Sequence, residues 1–234
     1  LMADMLFVKS DKFRLLDPGA GVGSLTAAVT SALCRRPSPP QEFHAVAYEI
    51  DSKLLGGLER TMVECAKACE HHGIRFSCEV HQADFIAAGI DLLHEQGLFG
   101  SSSASFDAAI VNPPYLKFRA DSRLRRLLRE TGIETSNMYT AFVWLALKLL
   151  SPSGELVCIT PRSFCNGPYF TPFRRFLTTT ASLRRIHVFE SREKAFADDD
   201  VLQENIIMHA HKGAHQGKVV LTKSDGPSFD DVCE

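Results

Sequence analysis

A chain of 234 residues in which 45% are hydrophobic has enough apolar content for one large domain with its own core. Its 26 basic and 28 acidic residues leave a formal charge of −2, which excludes a global polyanion-binding signature, so nucleic-acid contact has to come from local patches or from other parts of the protein. No apolar run is long enough to span a bilayer and no secretory h-region is present, while the seven cysteines form no CxxC pair, so the chain reads as a cytoplasmic protein with reduced thiols and no membrane partner.

Residues 1–6 read as the end of a helix, so the chain is expected to be a fragment of a longer protein. Residues 14–16 read as a short buried strand, followed by a glycine-rich turn and a helix over about 24–33. Three prolines within 35–42 mark a surface loop. A second strand is expected at 43–50, a long helix at 52–72, a third strand at 75–81 and a helix at 86–96. Gly100-Ser101-Ser102-Ser103 reads as a flexible connection into a fourth strand expected at 106–111. Helices at roughly 121–130 and 138–150 follow, then a strand at 156–160, a helix at 172–179, strands at 183–189 and 205–211, and a weaker strand candidate at 219–222. This alternation predicts a parallel sheet with helices on both faces.

Four short segments carry chemistry, and each directly follows a strand. Asp17-Pro18-Gly19-Ala20-Gly21-Val22-Gly23 lets a ligand approach the backbone closely and offers free amides at a helix start. The acidic residue that opens it would repel a pyrophosphate but would pair with a cationic amino-acid end. Glu49, with Ile50 beside it, ends the second strand, where a carboxylate can accept both hydroxyls of a ribose. Asp84 could accept from an adenine amino group while Phe85 covers the ring. In Asn112-Pro113-Pro114-Tyr115 two prolines stiffen the turn and restrict Asn112, whose side chain both donates and accepts. A rigid pair of acceptors followed by an aromatic ring suits gripping a flat, amino-bearing substrate. Open α/β sheets bind ligands outside the carboxyl ends of their strands, and all four segments fall on that edge. Cys65, Cys69 and His72 could share one helix face, but structural zinc takes four ligands in tight pairs, so no metal is assigned.

With these segments in this order, the chain resembles class I S-adenosylmethionine-dependent methyltransferases. It is most similar to the TaqI-like group that methylates DNA adenine at N6 in restriction–modification systems, and within it to the PstI/BsuBI type. The segments Asn137-Met138-Tyr139-Thr140-Ala141-Phe142 and Thr160-Pro161-Arg162-Ser163-Phe164 also resemble that group. The resemblance implies a Rossmann-like, seven-stranded, mostly parallel sheet in one catalytic domain over residues 1–234, lacking the upstream part of the first cofactor motif and the DNA target-recognition domain. It implies S-adenosyl-L-methionine as cofactor, its methionine end held by Asp17, Gly19, Ala20 and Gly21, its ribose by Glu49 with Ile50, and its adenine by Asp84 and Phe85, with Asn112 also in contact with it. Asn112 and the Pro113 carbonyl would accept from the N6 amino group of an adenine extruded from double-stranded DNA, beside Pro114. Tyr115 would stack on that base, and Phe196 on its other face. A separately encoded restriction endonuclease would be the cognate partner.

Among Arg119, Arg123, Arg125, Arg126 and Arg129, clustered just after the turn, phosphate contact is expected, Arg119 and Arg123 lying nearest. Arg174-Arg175 and Arg184-Arg185 read as surface charges. Three other readings stand beside this one: protein glutamine-N5 methylation, which also uses Asn-Pro-Pro-Tyr on a planar amide, RNA guanine-N2 methylation, and a catalytically weak cofactor-binding module.

Overall fold

The computed structural model describes residues 1–7, 10–99, 105–119, 121–189 and 204–224. The flexible connection expected at 100–103 lies outside the described residues. Strands β1 (Lys12–Pro18), β2 (Glu42–Glu49), β3 (Arg75–Gln82), β4 (Phe106–Val111) and β5 (Leu150–Pro161) pair in parallel in the order β3-β2-β1-β4-β5. Beyond β5 the sheet continues through β7 (Asn205–Lys212), β6 (Ala181–Phe189) and β8 (Val220–Ser224). β7 runs antiparallel to both neighbours, and β8 is parallel to β6.

The described residues thus form eight strands where seven were expected. The additional strand is the weak candidate at the chain's end, only five residues long and alternately exposed. A buried histidine secures it: His187 of β6 has Thr222 Oγ1 2.9 Å from Nδ1 and Ser224 Oγ 3.0 Å from Nε2. Burial holds that imidazole below its ordinary pKa, and a neutral ring bridges two hydroxyls by donating to one and accepting from the other.

Alternation along the central strands builds two cores. Leu16, Val46 and Ala109 face one side, Leu15, Ala45 and Ile110 the other, because successive residues of a strand point to opposite faces. Helix α1 (Ser24–Cys34) supplies Val29 and Leu33 to the second core, and α2 (Ser52–His71) supplies Cys69. Helices α3 (Phe85–Phe99), α4 (Arg123–Glu130), α5 (Met138–Leu149) and α6 (Thr171–Thr180) close the first. α5 is buried almost all round, as its sequence MYTAFVWLALKL demands, with Trp144 stacked on Phe176 at 4.4 Å. Residues 1–6 contribute a single 3-10 turn, Ala3–Met5, in place of the expected helix end.

The chain runs outward from β1 through β2 to β3, then returns to place β4 on the other side of β1. That reversal opens a crevice at the carboxyl ends of β1 and β4. No helix among the described residues is long and apolar enough to cross a membrane, and no group of three or more His, Cys, Asp or Glu among them is placed to hold a metal ion. Cys65 and Cys69 are buried, and burial pushes the Cys69 thiol up to about 12.

Candidate active site

The turn after β1 is tied to β2 by its own backbone, Gly19 and Ala20 both donating to the Tyr48 carbonyl at 2.8 and 2.9 Å. Gly19 adopts φ +72°, and a Cβ there would come within 3.4 Å of the Phe142 ring. Gly23, at φ +86°, precedes α1, and a Cβ on it would meet Leu58 Cδ1 at 2.9 Å and Thr61 Cγ2 at 3.0 Å. Positive φ is strained for any side chain, and here the space is taken by α2 as well. Gly23→Ala is therefore expected to destabilise the fold by roughly 1–3 kcal/mol, read as a lower midpoint in urea unfolding.

Glu49 is the organiser of the crevice. It is buried, and its carboxylate accepts from the Gly21 amide at 2.8 Å and the Asp51 amide at 2.7 Å. Each oxygen keeps a further lone pair, so hydroxyls arriving from the cavity can still donate to it. Asp84 stands at the start of α3 with Oδ1 accepting from the Ile86 amide at 2.8 Å, while Ala83 donates to the Glu49 carbonyl at 3.1 Å. Phe85 is buried against Phe142, ring centroids 5.1 Å apart.

Asp17 lies beneath the turn, 1% exposed, with the Thr26 hydroxyl donating to Oδ2 at 2.6 Å. Burial is the main cause that lifts its pKa from an ordinary 3.8 to about 6, and the charge of Glu49 adds to it. Asp17 Oδ1 is the only carboxylate oxygen among the described residues that is buried without a hydrogen-bond partner. An orphaned, desolvated acceptor of this kind calls for a cation or a strong donor.

Beyond β4, Asn112 is exposed, Pro113 is buried, and Pro114 and Tyr115 are half-buried. Tyr115 meets Tyr139 edge-on, at 6.5 Å and 88°. These segments bound a cavity of about 390 Å³, in the size range of small-molecule sites. Its walls bring together Gly19, Glu49, Ile50, Asp84 and Phe85 with Asn112, Pro113 and Pro114. Tyr48, Ala83, Met138 and Phe142 complete them. Met138 and Phe142 stand four apart on one face of α5; the sequence pointed to their segment but not to their place on the wall.

Other expected residues are placed elsewhere. Ala20 packs with Ala47, Leu58 and Met62 under α2, and the amide of Gly21 is committed to Glu49. Tyr115 borders the turn but does not line the cavity. Arg119 and Arg123 are exposed, and α4 is amphipathic, with Leu128 buried and Arg123, Arg126 and Arg129 on the outer face. Arg174 is no mere surface charge: it donates to the carbonyls of Phe164 at 2.9 Å and Gly167 at 2.7 Å. Phe196 lies outside the described residues.

Residues 59–196 match the family model described as Eco57I restriction-modification methylase. The chain is 44% identical over 224 residues to the Type II methyltransferase M.PstI of Providencia stuartii, covering 96% of this chain and 43% of that protein. It is 43% identical over 222 residues to the Type II methyltransferase M.BsuBI of Bacillus subtilis, covering 94% of this chain and 43% of that protein. The chain thus spans less than half the length of these curated relatives. A solved structure from Listeria monocytogenes, described as a class I S-adenosylmethionine-dependent methyltransferase, superposes with a TM-score of 0.66 at 16% identity, covering 98% of this chain and 63% of that one. The chain belongs to the Eco57I restriction-modification methylase family, with the fold of the class I methyltransferases.

Proposed function

We propose that this chain is the catalytic part of a DNA methyltransferase that modifies the N6 amino group of an extruded adenine, as the modification component of a restriction–modification system. One observation carries the reading: Asn112 and Pro113 stand on the same cavity wall as Gly19, Glu49, Asp84 and Phe85, so an acceptor turn faces the cofactor-type carboxylates. The residues present fit S-adenosylmethionine. Asp17 Oδ1 offers an acceptor for the cationic methionine end, Glu49 keeps lone pairs for ribose hydroxyls, and Asp84 with Phe85 presents a carboxylate beside an aromatic face. When bound, the cofactor supplies an electrophilic methyl group on its sulfonium.

The protein's own work is positioning. A paired adenine has its amino group inside the duplex, so the base has to be rotated out, and stacking on Tyr115 offsets roughly 1–3 kcal/mol of that cost. Asn112 Oδ1 and the Pro113 carbonyl accept the two N6 protons, which favours a tetrahedral nitrogen with its lone pair aimed at the methyl. The nitrogen would take up the methyl group that the bound cofactor supplies from its sulfonium and would lose one proton to solvent. No covalent intermediate with the protein forms, in keeping with cysteine thiols that burial holds neutral. Such an enzyme meets its DNA in the cytoplasm, where a separately encoded endonuclease would be its counterpart.

Tritium transfer from S-adenosylmethionine tests the substrate, with plasmid DNA and a protein release factor offered together. Label in DNA that digests to N6-methyladenine supports the reading; label in the protein overturns it. The outer face of α4 gives a second check. Arg123→Ala and Arg126→Ala should each weaken DNA binding evenly across sequences and reduce the slope of log affinity against log salt by about 1.

A further inference from the structure

The turn between β5 and α6 is a built object whose contacts the reaction above does not use. It opens with a 3-10 turn, Arg162–Cys165, and is held by one guanidinium. Arg174 of α6 donates to the carbonyls of Phe164 (2.9 Å), Asn166 (3.2 Å) and Gly167 (2.7 Å) and to Thr171 Oγ1 (3.1 Å). Gly167 sits at φ +76°, a conformation that a side chain would strain.

Held in this way, the turn reaches the substrate loop at two points. Ser163 Oγ lies 3.1 Å from the hydroxyl of Tyr139, whose ring meets Tyr115 edge-on. At the other end Tyr169 hydrogen-bonds Ser136 Oγ through its hydroxyl and accepts from Asn137 Nδ2 at 3.4 Å. Ser136 and Asn137 are the backbone partners of the residues after the Asn-Pro-Pro-Tyr turn. Phe118 donates to the Ser136 carbonyl at 2.8 Å, Met138 donates to the Leu116 carbonyl at 2.9 Å, and Lys117 bridges Asn137. Asn137 also precedes α5, which carries Met138 onto the cavity wall.

We propose that Tyr169 is a positioning residue for the Asn112 turn, its hydroxyl fixing the Ser136-Asn137 strand against which Leu116, Lys117 and Phe118 are held. Leu116 and Lys117 are exposed and bring little packing of their own, so the backbone pairing has to be anchored from behind. The Tyr169 ring is itself 55% exposed; its hydroxyl contacts are therefore not a by-product of burial. The kinetic consequence rests on the function proposed above, whereas the mechanical one does not.

Tyr169→Phe removes one oxygen and keeps the ring against Phe170, so it isolates the hydroxyl. In the full-length protein, amide hydrogen exchange at Phe118 and Met138 should quicken roughly tenfold, with the amides of β4 and the melting temperature unchanged. The kcat for DNA should fall roughly tenfold while the KM for DNA and the Kd for S-adenosylmethionine stay put, and Ser136→Ala should add little to the double variant. Unchanged exchange at Phe118 and Met138 overturns the proposal whatever the substrate. Quickened exchange with an unaltered kcat, in a wild type that methylates DNA, also overturns it by reducing Tyr169 to a structural contact. Quickened exchange in a wild type that leaves DNA unlabelled supports the anchor and sinks the DNA reading instead.

Discussion

Asn112→Ala is expected to lower methyl transfer to DNA by on the order of 10²–10³-fold, the scale on which removal of one preorganised polar group from a reacting centre is felt. The substitution deletes the side-chain acceptor but leaves the two prolines that shape the turn, so Pro113 keeps its carbonyl in place. Asn112 is exposed at the cavity mouth and supports no core packing, so the melting temperature should not move. S-adenosylmethionine affinity should change little, because the carboxylates proposed for its ribose and amine come from β1 and β2. Equilibrium binding of the cofactor and single-turnover transfer, measured on the same preparation, separate the two effects. Transfer at the wild-type rate would remove Asn112 from the site, and a loss of cofactor binding equal to the loss of rate would make it a cofactor residue only.

Asp17→Asn is expected to act in opposite directions on stability and on binding. The carboxyl of Asp17 has its pKa raised by burial from 3.8 to about 6, so the folded state holds the proton more tightly than the unfolded one. Its favourable contribution is therefore present at low pH and is lost as pH rises through about 6, leaving a cost of roughly 3 kcal/mol above that point. The amide of the variant would carry no charge to desolvate, so without cofactor the variant should melt higher than the wild type at pH 8 and no higher at pH 4. In the proposed role Asp17 would hold the cofactor's amine in its ionised form, through a charge-assisted hydrogen bond to a buried oxygen. Wild-type affinity should therefore fall about tenfold per pH unit below 6, and the variant should bind weakly with no such slope. Calorimetric titration from pH 5 to 8 reads both. A wild type with flat affinity across that range, matched by the variant, would exclude Asp17 from cofactor binding.

The succession of strands along the chain, the acidic residues at their ends and the acceptor turn after β4 could all be read from the sequence, because each is local. A glycine-rich turn, a strand-terminal carboxylate and a double proline fix their conformations within a few residues. Direction could not be read in that way. Ala20 shares its turn with Gly19, yet one faces the α2 core and the other the cavity, since the tie to Tyr48 sets how the turn is rotated. Gly21 looked like a ligand cradle, and its amide instead serves Glu49. α5 is apolar over its whole length, so no periodicity marks which of its residues reach the cavity.

Thus the amino-acid sequence by itself determined the doubly covered α/β class, the family resemblance and the types of group that the site offers. The tertiary structure alone decided that β8 closes the sheet on a buried histidine, that Met138 and Phe142 complete the cavity wall, and that the Arg174-held turn reaches Ser136 and Tyr139. Those relations join residues far apart in the chain, and packing rather than local preference selects them.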